Sequence, residues 1–158
     1  MKASIKSDFP IFDDSDLVYL DNASTTQKPQ EVLDAIQSMY SKTNANVHRA
    51  LYDIGSEATE KFENSRKKVS NFIHSESESE IIFTGGTTES INLLAHSLGN
   101  KLGPGDDILV SEMEHHANLV PWQMACRRTG ANLKFIPING NGDLDLTSLE
   151  KTFTDSTK

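Results

Sequence analysis

The sequence predicts an α/β fold, a mostly parallel sheet with flanking helices, and three observations predict it. From Ile81 onward, short apolar runs rich in β-branched residues alternate with amphipathic helical stretches, the rhythm of parallel strands joined by crossover helices. A glycine pair, Gly85-Gly86, separates one such run from its helix, where α/β folds hold ligands. The 158 residues suffice for one domain with a real core, since a chain of about 150 residues buries roughly two-thirds of its unfolded surface.

Residues 1–16, largely polar with two phenylalanines and Pro10, read as an irregular arm. Leu17-Val18-Tyr19-Leu20 reads as a short strand before the polar loop Asp21-Asn22-Ala23-Ser24-Thr25-Thr26. Pro29 opens a helix, where its missing N–H costs nothing. Val32, Leu33, Ile36, Met39 and Tyr40 give that helix an apolar face. A loop through Asn44-Ala45-Asn46-Val47-His48-Arg49 precedes a second helix over about 56–73. Ala58, Phe62, Val69 and Phe72 turn inward there, and Glu57/Lys61 and Glu63/Lys67 pair at i, i+4. The Ser/Glu alternation at 75–79 is a connector.

Ile81-Ile82-Phe83 reads as a strand, followed by a helix with the stripe Ile91, Leu94, Ala95 and Leu98. Ile108-Leu109-Val110 is the next strand, and a helix runs from near Pro121 to Thr129. Gly130 stands where a C-cap glycine belongs, with Arg127 and Arg128 suited to the helix dipole. Residues 133–138 form a further strand that Pro137 ends or pushes to an edge. Asn139-Gly140-Asn141-Gly142 is a turn, and Thr147-Ser148-Leu149-Glu150 has capping-box spacing for a last helix. The next element in this rhythm is a strand beyond that helix, and the fold is expected to be incomplete.

A net charge of −8 disfavours a nucleic-acid surface, which needs clustered Lys and Arg. The one dense basic run, Arg66-Lys67-Lys68, is interleaved with Glu60 and Glu63 and reads as a solvated helix face. One cysteine, Cys126, permits no intrachain disulfide and no Cys-rich metal site. No stretch is apolar enough for a signal h-region or a membrane span, so a cytoplasmic protein is expected and the Asn22-Ala23-Ser24 sequon is chance.

Phe83-Thr84-Gly85-Gly86-Thr87-Thr88-Glu89 carries the most chemistry. A helix's first turn has unpaired N–H groups and partial positive charge, so a phosphate can sit there on backbone donors, with threonine hydroxyls added. A tight turn with a threonine N-cap explains the same residues equally well. No Gly-Lys-Ser/Thr follows, which excludes a P-loop, and adjacent glycines do not make a dinucleotide fingerprint. Ser111-Glu112-Met113-Glu114-His115-His116-Ala117-Asn118 follows the next strand, at the sheet edge where the phosphate turn should also lie. An imidazole there could stack on a cofactor or move protons, or merely satisfy loop backbone. Glu112-x-x-His115 is half of a di-iron motif, but it occurs once and in a loop, so no metal is expected.

Tyr19-Leu20-Asp21-Asn22-Ala23, Val47-His48-Arg49, Gly86-Thr87-Thr88-Glu89-Ser90-Ile91-Asn92, Met113-Glu114-His115-His116-Ala117-Asn118 and Val120-Pro121-Trp122 occur in an order and spacing that resembles the SufS-type cysteine desulfurases. These belong to the class V aminotransferase group of fold-type I pyridoxal-phosphate (PLP) enzymes, and the resemblance runs from about Phe9 onward. It implies that residues 17–158 begin the PLP-binding large domain, with the rest of that domain and a small C-terminal domain beyond Lys158. It implies that Gly86, Thr87 and Thr88 bind the cofactor phosphate. It also implies that His115 stacks on the pyridine ring and assists proton transfer. His48 and Arg49 would lie near the substrate and the dimer boundary, and His116 has a family counterpart without an assigned role.

The implied reaction turns L-cysteine into L-alanine and leaves persulfide sulfur on an enzyme cysteine, for transfer to an acceptor or scaffold protein in iron–sulfur cluster assembly. The implied enzyme is a homodimer. The family's Schiff-base lysine, ring-facing aspartate, nucleophilic cysteine and carboxylate-binding arginine all fall beyond Lys158, and Cys126, between Ala125 and Arg127, reads as a packing residue. Gly85 stands where some relatives carry a bulkier residue. The 158 residues alone are expected to be inactive. A selenocysteine lyase or other class V member is the first alternative, and a non-catalytic phosphate-binding module the second.

Overall fold

The computed structural model describes residues 5–49 and 51–158. The chain divides into two compact units, Met1–Ile81 and Ile82–Lys158.

In the first unit, single 3-10 turns at Ile5–Asp8 and Pro10–Phe12 precede an extended stretch. The Tyr19 hydroxyl ties that stretch to itself by donating to the Thr25 carbonyl at 2.6 Å. Residues 17–20 are not a strand: Val18 and Leu20 are exposed, and no neighbouring strand pairs with them among the described residues. Apolarity marks a segment that gains from cover, but a strand also needs a hydrogen-bonding neighbour. Helix α1, Gln30–Ser38, follows Pro29 at its N-cap. Met39 and Tyr40 fall instead in a π turn, Met39–Thr43, where the Ser41 hydroxyl donates to the Gln37 carbonyl at 2.7 Å and competes with the α-helical ladder.

Helix α2, Asp53–Ile73, starts earlier than its periodicity suggests. Ala58 is buried and Phe62 and Val69 are half-buried, but Phe72 is exposed. It sits in the last turn of α2, just before His74 in the left-handed region, and no described residue of this unit covers that side. Glu57 and Lys61 pair at 2.8 Å as expected. Glu63 pairs not with Lys67 but with Arg66 at 3.4 Å and His48 at 3.1 Å. Arg66 also donates to the Ile81 carbonyl.

In the second unit, strands β1, Asp107–Ser111, and β2, Asn132–Ile136, run parallel, with Asp107 opposite Asn132 and Ser111 opposite Ile136. Helices α3, Thr87–Ser97, α4, His116–Thr129, and α5, Leu146–Thr152, flank them. Ile108, Val110, Cys126 and Ala131 form the core, with Leu102, Leu119, Trp122 and Leu133 packed around it. The strand expected after α5 begins to form. Asp107 donates to the Ser156 carbonyl at 2.8 Å and accepts from Lys158 N–H at 3.1 Å, a parallel bridge with Thr157. β1 therefore has a neighbour on both edges.

Ile81-Ile82-Phe83 carries no ladder among the described residues and is not a strand, for the reason that applies at 17–20. Helix α4 begins at His116 rather than near Pro121, which lies buried inside it. The last helix is capped by Asp145, whose carboxylate accepts from Thr147 N–H at 3.0 Å and Ser148 N–H at 3.2 Å, not by a Thr147–Glu150 box. Asp145 has N-cap chemistry two residues before the predicted start. Gly130 caps α4 at φ +79, and β2 ends before Pro137.

Candidate cofactor site

Gly86 is the N-cap of α3, with φ 154 and ψ 177 and no side-chain cap on the helix. A side chain at Gly86 would meet nothing within 4 Å, so open space faces the turn. By helix geometry the first-turn amides of α3 lack intrahelical partners. Thr87 and Thr88 are exposed, and among the described residues their hydroxyls make no hydrogen bond. The turn is braced from behind, where Thr84 and Ser90 hydroxyls lie 2.7 Å apart. Gly85 N–H already donates to a Glu89 carboxylate oxygen at 2.5 Å. An added side chain at Gly85 would meet that oxygen at 2.9 Å, and the flexible Glu89 carboxylate would have to shift.

His115 is the N-cap of α4, and its Nδ1 accepts from Ala117 N–H at 3.1 Å. The His115 and His116 rings lie 6.2 Å apart at 82°, so the two imidazoles address different surroundings. The end of α3 packs closely on the last turns of α4: a side chain at Gly99 would lie 3.1 Å from Ala125 Cβ and 3.2 Å from the Arg128 guanidinium. Helices α3 and α4 pack against one another.

Sequence reasoning passed over what holds the loop before α4. Glu114 accepts from the Ser111 hydroxyl at 2.7 Å with one oxygen and from the Asn118 side-chain amide at 2.8 Å with the other. Asn118 in turn accepts from the Trp122 indole N–H at 3.1 Å. The Asn118 bond above all, then that from Ser111, holds the Glu114 carboxyl below its usual range. The signal was present in the spacing, since 114, 118 and 122 recur every four residues.

In the first unit His48 adopts φ +68 and stacks edge-on against Phe62, with ring centroids 5.6 Å apart. Its backbone N–H donates to the Thr59 hydroxyl at 3.0 Å. His48 and Arg49 lie in one turn, and His48 is committed to α2 through Glu63. No cluster of three or more metal-binding side chains occurs among the described residues.

The arrangement is that of part of an α/β domain, a parallel strand pair flanked by helices. The aminotransferase class-V pattern matches residues 18–158, and the chain belongs to that family. It is 47% identical to a probable cysteine desulfurase of Staphylococcus aureus over 156 residues, 96% of this chain and 38% of that protein. A probable cysteine desulfurase of Halalkalibacterium halodurans is 45% identical, over 98% of this chain and 39% of its own length. Among solved structures, a cysteine desulfurase from Thermococcus onnurineus superposes with a TM-score of 0.87 at 39% identity, over 93% of this chain and 36% of that one. The cysteine desulfurase CsdA of Escherichia coli gives 0.82 at 39%, over 97% and 38%. A structure only 19% identical, with glycine covalently linked to its PLP cofactor, shares the fold at a TM-score of 0.74.

The chain thus spans under two-fifths of the length of these relatives, and its fold is the N-terminal part of their α/β domain. The residues at the start of α3 fit a phosphate: an open glycine turn, unpaired first-turn amides and two unengaged hydroxyls.

Proposed function

We propose that this chain forms the opening part of a SufS-type cysteine desulfurase. The whole protein converts L-cysteine to L-alanine and passes persulfide sulfur to an acceptor or scaffold protein for iron–sulfur cluster assembly. What supports this reading is the uncapped, glycine-opened start of α3, with open space before it, together with the His115-capped start of α4 just past β1. Neither a selenocysteine lyase nor a phosphate module is favoured, since the relatives matched across the chain are named as desulfurases.

When bound, PLP supplies an electron-withdrawing ring. Gly86, Thr87 and Thr88 hold its phosphate, and His115 lies against the ring and holds or moves a proton at Nε2, the nitrogen left free by the cap. His48 and Arg49 serve the substrate end near a homodimer boundary. Residues 1–16 are an arm, and 17–158 begin the cofactor domain. The reading carries no nucleic-acid or membrane partner and a cytoplasmic location; no described helix is long and apolar enough to cross a membrane.

The test is cofactor titration of the protein carrying this segment, followed by visible absorbance. Thr88→Val removes one charge-assisted hydrogen bond, worth roughly 1.5–3 kcal/mol, so PLP affinity should fall about tenfold or more. Unchanged affinity in Thr88→Val, or no cofactor band in the parent protein, overturns the assignment.

A further inference from the structure

The five-residue step from Ser111 to His115 is anchored at almost every position. Glu112 N–H donates to the Ile136 carbonyl at 3.1 Å, and its carboxylate accepts from Ile138 N–H at 3.2 Å, fastening the loop to the end of β2. Glu114 fastens the other side, with one oxygen on the last residue of β1 and the other on the first turn of α4. Trp122 locks Asn118 from one turn further on. His115 is therefore delivered to the helix start by a carboxylate that bridges strand and helix.

A backbone N–H can only donate, so the Nδ1 that receives Ala117 N–H must be unprotonated, and the neutral ring carries its proton on Nε2. If the first turn of α4 frays, that amide turns to water and both ring orientation and tautomer are released. We propose that Glu114 is a positioning residue for His115, holding the first turn of α4 in the geometry that fixes the imidazole with Nε2–H presented. The proposal rests on the reading of His115 as the residue that meets the cofactor ring.

Glu114→Gln and Glu114→Ala remove the same charge, but only Gln can still accept from Asn118 while donating to the Ser111 hydroxyl. In the PLP-loaded protein, Glu114→Ala should lower kcat roughly tenfold or more with KM little changed, as a misplaced reacting group does. The visible circular dichroism of the bound cofactor should weaken, and the His115 imidazole nitrogen resonances should lose the hydrogen-bonded Nδ1 signature. Glu114→Gln should restore most of all three. Should Glu114→Ala not fold, Trp122→Phe removes only the indole donor and should shift the same signals in the same direction.

A Glu114→Ala protein with parental dichroism and imidazole resonances overturns the proposal. So does a Glu114→Gln variant as impaired as Glu114→Ala, which would assign the effect to charge. A parent protein that takes up no cofactor instead sinks the functional reading while leaving the imidazole resonances to decide the role of Glu114.

Discussion

Asp107 is only 3% exposed, yet Lys134 reaches it at 2.6 Å and the Asn132 amide at 3.0 Å. These bonds, that of Lys134 first, hold its carboxyl below the ordinary value of 3.8. A carboxyl depressed in the folded state adds stability once ionised above its unfolded value and loses it as pH falls through its folded value. The urea midpoint should therefore decline as pH is lowered from about 5 to about 2, and Asp107→Asn should be weaker at neutral pH and lose less over that range. Asp145 and Glu114 are depressed by hydrogen bonds in the same sense and add to the slope. A flat pH profile in the parent chain would take Asp107 out of this account. Burial, by contrast, pushes the Cys126 thiol up, so a thiol reagent should label it slowly in the native protein and promptly in urea.

At the level of elements, the caps are the places where one atom decides a boundary. Gly130 holds φ +79, and a side chain there would meet Pro104 Cγ at 3.2 Å. Gly130→Ala should cost about 1–2 kcal/mol, read as a lower urea midpoint at unchanged slope. Asp145→Ala should cost about 1 kcal/mol and show as faster amide exchange in α5. Gly130 and the two arginines before it were legible because C-caps obey a local rule. Strands β1 and β2 were legible because their apolar runs have a partner within the chain. The runs at 17–20 and 81–83 were misread because pairing is not a local property, and no described segment supplies their ladders. The start of α4 was placed too late, near Pro121, because the true N-cap is a histidine, seldom used in that role. The glycine turn before α3 was legible as a helix start, but the Glu114 bridge needed the loop's geometry.

For the whole molecule, the two units expose much apolar surface. In the second, an open cavity of about 1000 Å³ lies along β1, lined among others by Leu98, Leu102, Val110, Trp122, Leu149 and Phe153. The 158-residue polypeptide should accordingly bind an apolar dye or self-associate, measured by fluorescence and light scattering. It contains none of the family's His-Lys pairs and only the buried Cys126, so it should release no sulfide from L-cysteine in a colorimetric assay. Sulfide above the no-protein blank would refute that.

Three described residues other than glycine, Asp14, His48 and His74, sit in the left-handed region against their backbone preference. At φ +68, His48 pays the left-handed penalty of about 1–2 kcal/mol that glycine escapes, while its exposed contact with Glu63 returns about 0–1 kcal/mol. His48→Gly relieves that penalty but also loses the edge-on packing on Phe62, so it should melt close to the parent. A melting curve of that variant reads directly how much a strained turn owes to the ring packed beside it.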